Sequence, residues 1–305
     1  MRLLVIGASG FLGWHVWHRA TAAGAAVVTA GRAGLPDSPG HRQVDLATGD
    51  PASIAEMIAS VAPDAIANCA GATAGGPDVL APVNVTGTYA LVRAMLLAGT
   101  RARLVHLGSA AEYGRAEPGV PVDESAPPRP VTPYGATKLA GTRLVQLGRA
   151  AGLDAVVLRV FNPVGAGAPE TGLPGRVAAQ LRRALADGTD VRLGPLEAVR
   201  DFVDARDVAA AVLAAAAAPH LPSPVVNIGS GIGVPAGTLV KELVAISGYE
   251  GMVHEDAEGS ARSPDKSWQQ ADIARAGLDL GWRPRHDLAA SLADLWEASR
   301  DQAGF

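Results

Sequence analysis

Apolar residues along this 305-residue chain come in short runs without polar alternation, at 3–6, 26–30, 65–68, 104–107 and 156–160, rich in Val, Ile, Leu and Ala. A strand that is apolar at consecutive positions is buried on both faces, as in a parallel sheet. Between the runs the pattern turns helical, over 11–23, 51–61, 81–98 and 133–151. Asp50-Pro51 supplies a capping side chain followed by a first-turn proline, and Gly99 and Gly152 stand where helices stop. Strand and helix in strict alternation predict an α/β fold, a doubly wound parallel sheet of the Rossmann type.

Beyond Phe161 the alternation fails, and 162–175 is dense in Pro and Gly. Such a stretch predicts a crossing into a second, smaller C-terminal lobe. A helix is expected at 176–187, a short segment at 201–204, an Ala-rich helix at 208–218, a strand at 225–228, and helices at 236–247 and 288–300. The expected division is a dinucleotide-binding domain over 1–161, with 200–229 returning to it, and a substrate-binding lobe over 162–199 and 230–305.

An apolar content of 48% excludes bulk disorder. The formal charge is −4, from 26 basic and 30 acidic residues, with no run of five like charges, so the chain is not built to wrap nucleic acid. The single cysteine, Cys69, leaves no intrachain disulfide and no thiolate metal cluster, which fits a reducing cytoplasm. The longest near-continuous apolar stretch, 208–218, falls short of the roughly 20 residues that cross a bilayer, and no signal peptide is expected.

The first run leads into Gly7-Ala8-Ser9-Gly10-Phe11-Leu12-Gly13 and then directly into a helix. Strand, glycine turn and helix N-terminus are the parts of a pyrophosphate site, because backbone N–H groups can approach the anion and the helix dipole favours it. At the end of the second run stands Arg32, where an NAD-binding chain would place an acid. A guanidinium there, with the Ser9 hydroxyl, suits a 2′-phosphate, so NADP(H) is favoured over NAD(H). Tyr134 and Lys138 fall four residues apart on one helix face. An ammonium beside a phenol favours its anion and makes Tyr134 a usable acid or base. Ser109, at a strand end upstream, offers a hydroxyl to hold a carbonyl oxygen against that phenol.

GASGFLG at 7–13, Asn68-Cys69-Ala70-Gly71, Asn84-Val85-Thr86-Gly87-Thr88, Ser109 with Tyr134 and Lys138, and Arg159-Val160-Phe161-Asn162-Pro163 together resemble the extended short-chain dehydrogenase/reductases of the epimerase/dehydratase family. The segments at 169–175, 194–208, 227–231, 262–265 and 281–288 resemble the GDP-4-keto-6-deoxymannose reductases and kindred NDP-4-ketohexose reductases. The resemblance implies that Asp45 and Leu46 flank the adenine and that Cys69, Ala70 and Gly71 lie on the cofactor loop. It places Asn84 and Lys138 at the nicotinamide end. Asn162, Arg200 and Arg262 are implied to serve the substrate diphosphate, and the helices at 81–98 and 133–151 to pair in a homodimer.

The expected reaction is NADPH-dependent reduction of a nucleotide-linked 4-keto-6-deoxyhexose, with Tyr134 as general acid. The alternatives are an epimerase with retained NAD and a non-catalytic NADP-binding sensor or scaffold. Dehydratases of the family carry acids just after the strand-end residue, where this chain has Ala110 and Ala111, and Glu112 comes one position late. His15 and His18 lack companions for a metal site, so no metal is expected. Trp14, Trp17 and His106 read as packing residues, and Cys69 as a small apolar one.

Overall fold

The computed structural model describes residues 1–35, 38, 40–257 and 267–301. Its first half runs β1 (Arg2–Ile6), α1 (Phe11–Ala22), β2 (Ala26–Gly31), β3 (Arg42–Gln43), α2 (Pro51–Val61), β4 (Ala65–Asn68), α3 (Pro77–Ala81), α4 (Gly87–Ala98), β5 (Arg103–Ser109), α5 (Pro133–Ala150) and β6 (Ala155–Val160). Then follow β7 (Asn162–Val164), α6 (Leu173–Asp187), β8 (Val191–Arg192), β9 (Val199–Asp204), α7 (Ala205–Ala217), β10 (Val225–Ile228), β11 (Gly233–Pro235), α8 (Ala236–Ser247), β12 (Val253–His254), α9 (Ala274–Leu280) and α10 (Leu288–Asp301).

Seven strands form a sheet in the order β10-β6-β5-β4-β1-β2-β3, every pairing parallel. Alternate residues feed opposite cores. Leu3, Val5, Val105 and Leu158 face Val16 of α1 and Val208 and Val212 of α7. Leu4, Ile6, Ile66 and Leu104 face Ile54, Ile58, Leu91 and Met95 of α2 and α4. Burial on both faces is why the runs read as apolar without alternation. The winding direction reverses between β4 and β1, and an open parallel sheet presents its ligand crevice at the carboxyl edge of such a reversal.

The helix expected at 81–98 is divided. Pro82 brings no N–H, and Pro82–Thr86 form a π turn between α3 and α4. The stretch Pro77–Ala98 has the length and hydropathy of a bilayer crossing, yet half of it is buried inside the protein, where α4 packs on α2 and α5. β9, the short segment expected at 201–204, does not enter the large sheet. It pairs with β7 and β11 in a three-stranded sheet, while β10 pairs with β6.

Buried charges tie the smaller sheet to its surroundings. Asp201 of β9 is fully buried, and its carboxylate accepts from Ser230 N (2.6 Å), Ser230 Oγ (2.7 Å), Gly231 N (2.9 Å) and Ala271 N (3.0 Å). Asp207 of α7 accepts from Arg285 N and His286 N at 2.8 and 2.9 Å, pinning the segment that enters α10. Asp201→Ala strands three backbone N–H groups in a dry site, each costing about 1–3 kcal/mol. The variant is expected to lose about 3 kcal/mol or more of stability, read as a lower urea midpoint at unchanged slope.

Candidate active site

The turn after β1 is set by contact between backbones. Gly7 adopts φ +80°, and a Cβ there would lie 2.7 Å from Ala70 N; a Cβ on Gly13 would lie 2.0 Å from Gly7 O. Gly7 and Gly13 therefore shape the turn from within. Gly10 caps α1 without a side chain, and no acid stands in the first turn of the helix. Gly10, Phe11 and Leu12 open onto a cleft of about 390 Å³ at the carboxyl edge of the sheet. An uncapped helix N-terminus above a glycine turn suits a dinucleotide pyrophosphate. The far wall offers similar room: a Cβ on Gly71 would come within 3.5 Å of Asn84 Oδ1 and 3.8 Å of Lys138 Nζ.

Ser109, Tyr134 and Lys138 line this same cleft, with Cys69, Ala70 and Gly71. Lys138 is buried, and its Nζ donates to Leu107 O at 2.5 Å, so the ammonium is held inside the site by the end of β5. The Ser109 Oγ accepts from Ala111 N at 3.2 Å, which leaves the hydroxyl proton to point elsewhere. Thr132 caps α5 by accepting from Gly135 N at 3.1 Å and fixes the helix start that carries Tyr134. A second phenol, Tyr113, lies near Ser109 but is buried, donates to Asn227 Oδ1 at 2.7 Å, and is pushed by burial up to about 12. Tyr134 is thus the phenol of the pair that faces the cleft.

Several expected cofactor residues stand outside the cleft lining. Ser9 and Arg32 are exposed at the turn and beyond β2. The Asp45 carboxylate accepts from Ala47 N at 2.9 Å, and Leu46 is buried against Gly87. Asn84, in the π turn, clamps the loop after β4: its Oδ1 accepts from Ala72 N and its Nδ2 donates to Ala72 O, both at 2.9 Å, and to Thr137 Oγ1 at 3.1 Å. Asn84 thereby shapes the cleft wall from behind.

The opposite wall comes from the second half of the chain. Asn162 and Arg200 both line the cleft. The Asn162 Nδ2 donates to Asp201 O at 3.0 Å. Arg200 is buried, is pulled down to about 10 by burial, and is oriented by Val199 O and Ser267 O (both 2.7 Å) and by the Ser267 hydroxyl. Arg262 lies outside the described residues. Arg176 of α6 and Gln269 also face the cleft and were not singled out from the sequence. Arg176 lies in the pattern expected to be helical, but nothing in that pattern says which side of the helix meets the cavity. No Asp or Glu stands among the described residues lining the cleft, whereas Lys138, Arg176 and Arg200 do.

Glu112 turns away from the cleft into a fully buried pair with Arg159, Nε to Oε2 2.8 Å. Burial, and then the Lys138 cation, push the His106 imidazole well below its ordinary range, and its Nδ1 pairs with Asn68 Nδ2 at 3.0 Å. Burial pushes the Cys69 thiol up to about 12 against the pull of Lys138, which makes it a poor nucleophile. His15 Nε2 pairs with Ala166 O at 2.9 Å, while His18 lies against the rings of Trp14 and Trp17 at 4.0 and 4.7 Å between centroids. The Trp14 ring also lies 5.0 Å from His15, so it touches both imidazoles.

The geometry agrees with what the chain resembles. It is 40% identical over 97% of its length to dTDP-6-deoxy-L-talose 4-dehydrogenase (NAD(P)(+)) of Kitasatospora kifunensis, covering 95% of that protein. It is 32% identical over 99% of its length to UDP-glucose 4-epimerase of Azospirillum brasilense, covering 93% of that protein. The structure of RMD from Pseudomonas aeruginosa, complexed with NADPH, matches with a TM-score of 0.83 and 27% identity over 98% of each chain. The family model for the NAD dependent epimerase/dehydratase family matches residues 3–229, three quarters of the chain, including the glycine turn, Ser109, Tyr134 and Lys138, and the protein belongs to that family.

Proposed function

We propose that the protein is an NADPH-dependent reductase of a 4-keto-6-deoxyhexose carried on a nucleoside diphosphate. The observation that carries this reading is one cleft shared by Gly10–Leu12, Ser109, Tyr134 and Lys138, with Arg176 and Arg200 on its opposite wall. The glycine turn and the N-terminus of α1 would hold a nicotinamide dinucleotide, which would supply the hydride for the ketone carbon or accept one in the direction of oxidation. Tyr134 donates its phenolic proton to the ketone oxygen, and the Ser109 hydroxyl holds that oxygen in place. Lys138, fixed by Leu107 O, stabilises the phenolate left behind.

Arg200 and Arg176 suit the two phosphates of the substrate, since guanidinium groups bind phosphate oxygens in pairs. The absence of Asp and Glu among the described cleft residues disfavours elimination of water, which needs a proton carrier beside the sugar's C5–C6 bond. The talose dehydrogenase relative supports the 6-deoxy sugar and an oxidoreduction at C4. Arg32, exposed beyond β2 at the strand end where an NAD-binding chain would carry an acid, supports NADPH over NADH.

The epimerase relative favours a second reading, in which the same Tyr134, Ser109 and Lys138 act with retained NAD. Purified protein that consumes NADPH stoichiometrically with a 4-keto-6-deoxy sugar nucleotide supports the reductase; tightly held NAD and interconversion of UDP-glucose with its C4 epimer support the rival. Tyr134→Phe is expected to lower kcat at least about a thousandfold while NADPH affinity, measured by fluorescence titration, changes less than about threefold. Wild-type turnover in that variant refutes the role of Tyr134. Arg32→Ala is expected to raise the KM for NADPH about tenfold or more and to leave the KM for NADH unchanged.

A further inference from the structure

We propose that Glu112 is a positioning residue for the reaction: its buried carboxylate locks the strand-end Ser109 against the helix that carries Tyr134 and Lys138. The inference rests on the reading of Ser109 as the donor to the substrate oxygen.

Glu112 is fully buried. Its Oε1 accepts from the Ser109 N–H at 2.9 Å and from the Thr142 hydroxyl at 2.9 Å, and its Oε2 accepts from Arg159 Nε at 2.8 Å. Thr142 lies four residues beyond Lys138 and eight beyond Tyr134, on the same face of α5. One carboxylate therefore joins the end of β5, the helix of the proton donor and β6.

The anchor is itself held. The Arg159 guanidinium lies 4.5 Å over the Tyr113 ring, and the Tyr113 hydroxyl donates to Asn227 Oδ1 of β10 at 2.7 Å. Burial, the largest influence, opposes the Arg159 cation, but the Glu112 carboxylate and the Tyr113 phenol together outweigh it and hold the guanidinium above its ordinary value. Gly108 provides the space: a Cβ there would lie 2.7 Å from Glu112 Oε1. The Glu112 carboxylate and the Val157 Cγ1, both 2.7 Å from that Cβ position, fill the side-chain volume of the residue before Ser109 and leave room only for glycine.

The effect on Ser109 follows from its hydrogen bonds. Its N–H goes to Glu112 and its Oγ accepts from Ala111 N, so the short 3-10 turn Ala110–Glu112 holds both backbone and side chain. The remaining hydroxyl proton is then aimed by the turn. An apolar pair of the same volume is often as stabilising as a buried ion pair, so the contribution of this one lies in fixed geometry.

The test is a double-mutant cycle of Ser109→Ala and Glu112→Gln, read as kcat and KM with dTDP-6-deoxy-L-talose and NADP+. Gln sets an amide donor against either Arg159 Nε or the Ser109 and Thr142 donors, so one link breaks in either orientation. Glu112→Gln is expected to lower kcat about tenfold or more when Ser109 is intact and less than about twofold in the Ser109→Ala background, with the KM for NADP+ within about twofold throughout. Equal losses in both backgrounds overturn the positioning role and leave Ser109 in place. Unchanged kcat in Ser109→Ala, or a parent protein that neither oxidises dTDP-6-deoxy-L-talose nor epimerises UDP-glucose, overturns the underlying reading instead. If Glu112→Gln does not fold, Glu112→Asp carries the same cycle with the same expected outcomes: it keeps the charge beside Arg159 but shortens the reach by about 1.5 Å, too far to hold all three partners.

Discussion

At the carboxyl end of β1, backbone lies against backbone with no room for a methyl group. Gly7 meets Ala70 and Gly13 meets Gly7 at distances that any Cβ would violate. This contact draws the N-terminus of α1 down to the edge of the sheet and brings the loop after β4 beside it. The first turn of α1 then presents its N–H groups, uncapped by side chains, at one end of the cleft. Every other element of the dinucleotide half is placed relative to this crossing, because β1 is a central strand paired on both sides.

Polar groups are buried behind the cleft and in the adjoining three-stranded sheet, and their hydrogen bonds run mostly to other elements of the fold. Glu112 takes three donors, Asp201 takes four, Asn84 returns both halves of its amide to Ala72, and Lys138 spends a proton on Leu107 O. Unpaired, such groups would each cost roughly 1–3 kcal/mol on burial, and more where charged, so their partners are obligatory. The result is a polar frame behind an otherwise small and apolar wall of Ala70, Gly71, Ala110 and Ala111. Substrate-sized space and fixed donors come from the same arrangement.

Much of the fold was legible in the sequence because each element carries its own period. The runs at 65–68 and 225–228 and the helices at 51–61 and 236–247 match the observed bounds. Elements that failed to announce themselves are those with too few residues for a period, such as β3 and β12, or those whose geometry a single residue overrides, as Pro82 does at the π turn. In the candidate site, the glycine turn and the Tyr134–Lys138 spacing were readable because their geometry is local. Arg176 and Gln269 were not, since one is selected by helix rotation and the other by a loop crossing from the second half of the chain.

By itself, then, the sequence determined the alternating sheet, the glycine turn into α1 and the spacing that sets Tyr134 and Lys138 one turn apart on α5, all of which depend on residues within a few positions of one another. Tertiary structure decided which side chains share the cleft and which work behind it. Glu112 meets Arg159 across 47 residues, and Asn162 meets Asp201 across 39. Such partners are chosen by strand order and by the need to satisfy buried charge, and neither is written in any local stretch of the chain.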